Sequence, residues 1–124
     1  MGFDVTASYA TVVDGHRHVW EVPRLWELSR DLPTFDYPVT DFDGMDLDCW
    51  YGRVHVPTVR SVLTHMKRIE RADLTHPIIL SQSGAVMDGV HRICRAWLAE
   101  QATVLAVRFT IDPPPDRVEP YPPT

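Results

Sequence analysis

The sequence predicts an α+β fold: a small mixed β-sheet packed by helices. Three observations lead there. In residues 58–69, Val59, Val62, Leu63, Met66 and Ile69 recur at helical spacing, with Arg60, Thr64, Lys67 and Arg68 between them. Residues 77–101 change period, reading as strand, polar turn, strand and then helix. A last apolar run, residues 104–109, has the length and β-branched content of a strand.

Taken in chain order, residues 19–23 form a short strand and residues 24–29 one or two helical turns before Pro33; the rest of the first half reads as irregular. Residues 38–52 mix Asp41, Asp43, Asp46 and Asp48 with Phe42, Trp50 and Tyr51, which predicts a long loop held down by its aromatic side chains. Pro57 suits the first turn of the helix over 58–69. Residues 77–80 are a strand, Ser81, Gln82, Ser83 and Gly84 a turn, and residues 85–87 a second strand. Residues 91–101 follow as a helix with Ile93, Ala96 and Trp97 on one face and Cys94 and Leu98 beside it. The proline-rich end is expected to lie extended over the surface. This organisation divides the chain into a domain over 1–112 and a tail over 113–124.

With 124 residues, 44% of them hydrophobic, the chain is long enough for one domain with a sizeable core. The formal net charge of -5 argues against a broad grip on nucleic acid, which needs clustered Lys and Arg, but leaves room for a small anionic ligand at a local positive site. No apolar run approaches the roughly 18 residues of a membrane span. The start of the chain has neither a basic segment nor a signal-like apolar stretch, so a cytoplasmic protein with no membrane segment is expected. Cys49 and Cys94 are read as buried free thiols. Trp20, Trp26, Trp50 and Trp97 are read as core and loop anchors, with Trp50 or Tyr51 as an alternative cover for a bound base.

The segment richest in chemistry is Met87-Asp88-Gly89-Val90-His91-Arg92. A glycine between strand and helix permits a sharp turn that brings the unpaired N–H groups of the helix start close to a ligand. Those donors and the positive end of the helix dipole favour an anion. Arg92 offers a forked pair of donors for phosphate, and His91 donates one more or moves a proton near neutral pH. The competing reading is purely structural: Asp88 caps the helix, Arg92 pairs with a carboxylate, and His91 is a surface residue.

At these residues the chain resembles the ParB/sulfiredoxin superfamily, in which a Pro-led strand is followed by D-G-x-H-R opening a helix and then a short strand. The resemblance covers residues 19–109 and is specific over 57–109, above all over 77–92. It implies a nucleotide, ATP or CTP, with its phosphates at Asp88, Gly89, Val90, His91 and Arg92. It also implies contributions from the preceding helix through Ser61 and His65, with Thr58 where sulfiredoxin has a lysine. Val90 stands where sulfiredoxin has its catalytic cysteine, so sulfinic-acid repair is not expected. The chain ends soon after its last strand, so DNA partitioning is not expected either.

Asp46 and Asp48 are the candidate ligands for Mg2+, since hard cations favour oxygen donors, and the resemblance implies them as candidate catalytic residues with His91, because related serine kinases keep an acidic residue just before the helix over 58–69; the alternative is a solvated acidic loop with Asp turns. His16 and His18 share one side of an extended segment but show no third metal ligand nearby. Asp14-Gly15-His16-Arg17 imitates the main motif without an apolar strand leading into it. The functional expectation is a nucleotide-phosphate-binding domain, in catalytic form a nucleotide hydrolase or phosphotransferase. The alternative is a non-catalytic accessory module binding a nucleotide or acidic ligand, and the weaker alternative a metal-dependent nuclease, which the acidic charge opposes.

Overall fold

The chain forms an α+β structure in the computed structural model, which describes residues 7–51 and 56–121. Expectations for residues 1–5, for Gly52 and for residues 122–124 lie outside the described residues. In chain order the elements are β1 (Ser8–Val13), β2 (His16–Glu21), α1 (Val22–Ser29), β3 (Phe35–Pro38), a 3-10 turn (Val39–Asp41), α2 (Val59–Glu70), β4 (Ile78–Leu80), β5 (Val86–Asp88), α3 (Val90–Leu98), β6 (Thr103–Arg108) and β7 (Arg117–Pro120). They fall into two compact units. The first takes Met1–Pro33, Ile79–Asp88 and Val107–Thr124, and the second Thr34–Ile78 and Gly89–Ala106.

The first unit holds a sheet in the order β1-β2-β7. Asp14 and Gly15 both take positive φ, 51° and 76°, which is the geometry of a two-residue hairpin loop matched to strand twist. The imitation of the main motif at Asp14-Gly15-His16-Arg17 is therefore a hairpin turn leading into β2. The expectation of an irregular first half is corrected: β1, β2 and β3 are all there. Val22 and Pro23 belong to the start of α1 rather than to a strand, because proline's fixed φ and missing N–H suit a first helical turn.

The tail is extended, as expected, and part of it pairs antiparallel with β2 as β7, His18 opposite Val118. Side chains tie it down: the Trp20 indole donates to the Pro113 carbonyl at 2.8 Å, Arg24 donates to the Pro114 carbonyl at 2.8 Å, and Asp116 accepts the Glu21 N–H at 2.8 Å. Trp20, Val22, Leu25, Ile79, Met87, Val107 and Phe109 form the core of this unit. The strand-turn-strand over residues 77–87 holds as β4 and β5, joined by a turn in which the Ser81 N–H donates to the Ala85 carbonyl at 2.8 Å.

In the second unit β3 pairs antiparallel with β6, Tyr37 opposite Val104, and Tyr37, Val39, Ile78, Ile93, Ala96, Val104 and Ala106 are its buried apolar residues. Helix α2 opens with a reciprocal cap: Thr58 Oγ1 accepts the Ser61 N–H at 3.1 Å while Ser61 Oγ accepts the Thr58 N–H at 2.8 Å. Pro57 precedes this cap instead of occupying the first turn. In α3, Ile93 and Ala96 are buried as expected but Trp97 is 48% exposed; Trp26 in α1 is 54% exposed. Neither tryptophan is a core residue.

Two glycines at positive φ allow a controlled comparison. A Cβ on Gly84 (φ 95°) would meet open space, whereas a Cβ on Gly89 (φ 116°) would collide with the Ile78 side chain and lie 3.1 Å from the Ile78 Cα. Gly84→Ala should cost about 1–2 kcal/mol from backbone strain alone, and Gly89→Ala roughly 2–5 kcal/mol because steric overlap adds to it. Urea unfolding of the two variants checks the order, and equal losses would refute the packing explanation.

Candidate functional site

The site is built in the second unit, from the start of α3 outward. Gly89 is the N-cap of α3 and sits in the left-handed region with φ 116° and ψ 16°. Its carbonyl accepts the N–H groups of Arg92 at 2.9 Å and Ile93 at 3.1 Å, which starts the helix. Glycine has no side chain to cap the first turn, so that end of the helix presents its dipole without an N-cap side chain over it. The expectation that Asp88 caps the helix is corrected. Asp88 ends β5 in the first unit, where its Oδ2 accepts the Trp26 indole N–H at 2.9 Å.

The first turn of α3 carries His91, and α2 brings His65 to it: His65 Nδ1 and His91 Nε2 are 2.8 Å apart. The ring centroids are 5.1 Å apart and the ring planes differ by 13°. The centroid separation exceeds the nitrogen separation by about one ring width, so the imidazoles lie nearly edge to edge in one plane, joined by a hydrogen bond. Trp50 lays its indole over both, 4.3 Å from the His65 ring and 5.0 Å from the His91 ring, at interplanar angles of 15° and 8°. Tyr51 meets His65 edge-on at 5.6 Å and 81°.

Asp48 sets up this cover. Its Oδ1 accepts the N–H groups of Trp50 at 3.1 Å and Tyr51 at 2.8 Å, an Asx-type turn that holds both aromatic residues in place. Such a turn is the structural alternative raised for the acidic loop. Asp46 is exposed. Among the described residues, no three His, Cys, Asp or Glu side chains are placed together to hold a metal ion. That includes His16 and His18, which lie in β2; His16 Nδ1 is 3.0 Å from the Asp14 carbonyl, and His18 stacks on Trp20.

Of the other expected phosphate contacts, Ser61 has its hydroxyl engaged in the α2 cap, where it also donates to the Thr58 carbonyl at 2.9 Å. Arg92 is half-buried on α3. Its charge is one of the influences that hold the Asp73 carboxyl below the usual carboxylate range, after the larger effect of the Thr75 hydroxyl and N–H. The cysteines also differ from expectation. Cys49 is exposed and Cys94 half-buried, although the Cys49 sulfur itself shelters 3.6 Å from the Gly44 carbonyl. Burial, and then the charges of Asp48 and Asp43, push the Cys49 thiol up, which opposes nucleophilic use.

Burial first, and the charge of Arg68 second, lower the His65 pKa from the ordinary 6.5. Protonating both rings would set two N–H donors against each other across the 2.8 Å contact. One facing nitrogen therefore donates and the other accepts. The arrangement is a coupled one: when His65 Nδ1–H donates, His91 Nε2 accepts, and the reverse tautomer exchanges these roles.

Sequence reasoning selected both histidines but not their contact with each other. It read Trp50 as a loop anchor, with a bound base as the alternative, and not as a cover for the imidazoles. No local signal marks either contact, because the three residues come from separate segments. Comparison with protein-family models, with curated proteins and with solved structures found no match.

A lowered histidine pKa has a definite sign in stability. Below pH 6.5 the unfolded chain takes up a proton that folded His65 resists, so native stability falls as pH drops from 6.5 toward the folded value. Urea midpoints measured above and below pH 6.5 should decline on acidification, and the decline should be shallower in His65→Gln. An unchanged slope in the variant would remove His65 as its source.

Proposed function

We propose that the Gly89–Arg92 turn binds the phosphate of a nucleotide and that the His65–His91 pair transfers a proton at that phosphate. The observation that carries this reading is the 2.8 Å hydrogen bond between His65 and His91 at the start of α3, where Gly89 supplies no side-chain cap. A phosphate oxygen at a helix start meets backbone N–H groups and the positive dipole end. Arg92, in the same turn, adds a charged fork. An anion there would favour a proton on His91, and the hydrogen bond to His65 gives that proton a path across the pair. A proton accepted at one end is matched by one released at the other, which suits general acid–base work in phosphoryl transfer or hydrolysis.

The resemblance to the ParB/sulfiredoxin superfamily supports ATP or CTP as ligand, and Val90 keeps sulfiredoxin chemistry out of the proposal. Mg2+ would add charge neutralisation at the phosphates. The described carboxylates do not fit it well, since Asp48 commits an oxygen to the turn under Trp50 and Tyr51 while Asp46 stands exposed. No step therefore runs through a metal, and the catalytic role proposed rests on the histidines alone. That same use of Asp48 favours a second reading, a module that binds a nucleotide without turning it over.

Thermal unfolding with ATP, CTP, GTP, ADP and inorganic phosphate tests the binding. At a hundredfold excess over Kd a true ligand stabilises by about 2.7 kcal/mol, and His91→Gln and Arg92→Ala should each reduce that shift. No shift with any of these at millimolar concentration sinks the proposal. Phosphate release measured on the tightest ligand separates the readings: turnover lost in His65→Gln supports the proton-transfer role, and binding without release supports the module.

A further inference from the structure

Helix α2 buries none of its residues. Its half-buried positions are Ser61, His65 and Ile69, one stripe at i, i+4 and i+8. Its apolar stripe lies on another side: Val59 is 78% exposed, Leu63 52%, Met66 50% and Val62 42%. The helix is thus turned so that His65 meets His91 and Trp50, while the face that sequence periodicity assigns to a core faces outward. Arg60 and Lys67 each follow an apolar residue of the stripe by one position and line one border of it, and Glu70 lies within it near the end of the helix; all three are exposed. A surface of this kind calls for a partner that offers apolar side chains interleaved with carboxylates.

The same unit of this chain carries such a segment. Between Asp41 and Asp48, Leu47 is 67% exposed and Met45 36%, and Asp43 and Asp46 alternate with them as exposed carboxylates. We propose that the occupant of the α2 face is a second copy of this chain, which sets its Asp43–Asp46–Leu47 loop on Val59, Leu63 and Met66 and its carboxylates against Arg60 and Lys67. Pairing α2 with α2 is opposed by the like charges of Arg60 and Lys67. Pairing loop with helix is complementary in both polarity and charge, and it repeats twice about a two-fold axis, since each copy supplies one loop and one helix.

Sedimentation equilibrium of the full chain tests this by mass, a readout independent of nucleotide binding. The expected result is twice the chain mass at low salt, with weaker association near 1 M salt, where the Debye length is about 3 Å. Leu63→Glu with Met66→Glu should give a monomer. So should Asp43→Lys with Asp46→Lys, and adding Arg60→Glu and Lys67→Glu to that variant should restore the dimer. A wild-type monomer at high micromolar concentration, or a dimer that Leu63→Glu with Met66→Glu leaves intact, overturns the proposal. So does a monomer that pellets with phosphatidylserine vesicles, which would assign the face to a lipid surface.

Discussion

Gly89 lies against Ile78 so closely that no Cβ fits between them, and it adopts a backbone conformation that other residues rarely enter. This contact determines where α3 begins. It places His91 in the first helical turn, within hydrogen-bond reach of His65 on α2. Trp50 then covers both imidazoles, and Asp48 holds the turn that presents Trp50. The site is a sequence of dependent contacts that starts at one glycine. That glycine has a structural necessity of its own, separate from any ligand it serves.

Two influences lower the His65 pKa, and they act in one direction: burial disfavours the imidazolium, and Arg68 repels it. In the proposed function, an incoming phosphate would reverse the local field at His91 and so couple ligand and proton position through its hydrogen bond to His65.

Much of the fold was legible in the sequence. Periodicity located α2, α3, β4, β5 and β6, since the shift from period two to period 3.6 is a local property of the chain. It failed for β1 and β3, where short segments of mixed polarity lie next to turn residues, and for the pairing of β7, whose Pro120 suits an edge position that only its partner strand reveals. The apolar face of α2 shows a further gap. Periodicity states that a helix has an apolar side but not which way that side is turned, and here the contacts of His65 turn it outward.

The sequence by itself determined the α+β class and the strand-turn-helix around Gly89, because propensity, period and glycine's conformational freedom act over a few residues. It also singled out His91 and Arg92 as candidates by residue type and position, and His65 through the family resemblance. Only the tertiary structure joined His65 to His91, laid Trp50 over them, and drew Asp48 into a turn and Asp88 to Trp26. Those contacts bring together residues from distant segments, and the packing of separate elements, which no local pattern encodes, decides whether a candidate side chain serves chemistry or holds a neighbour in place.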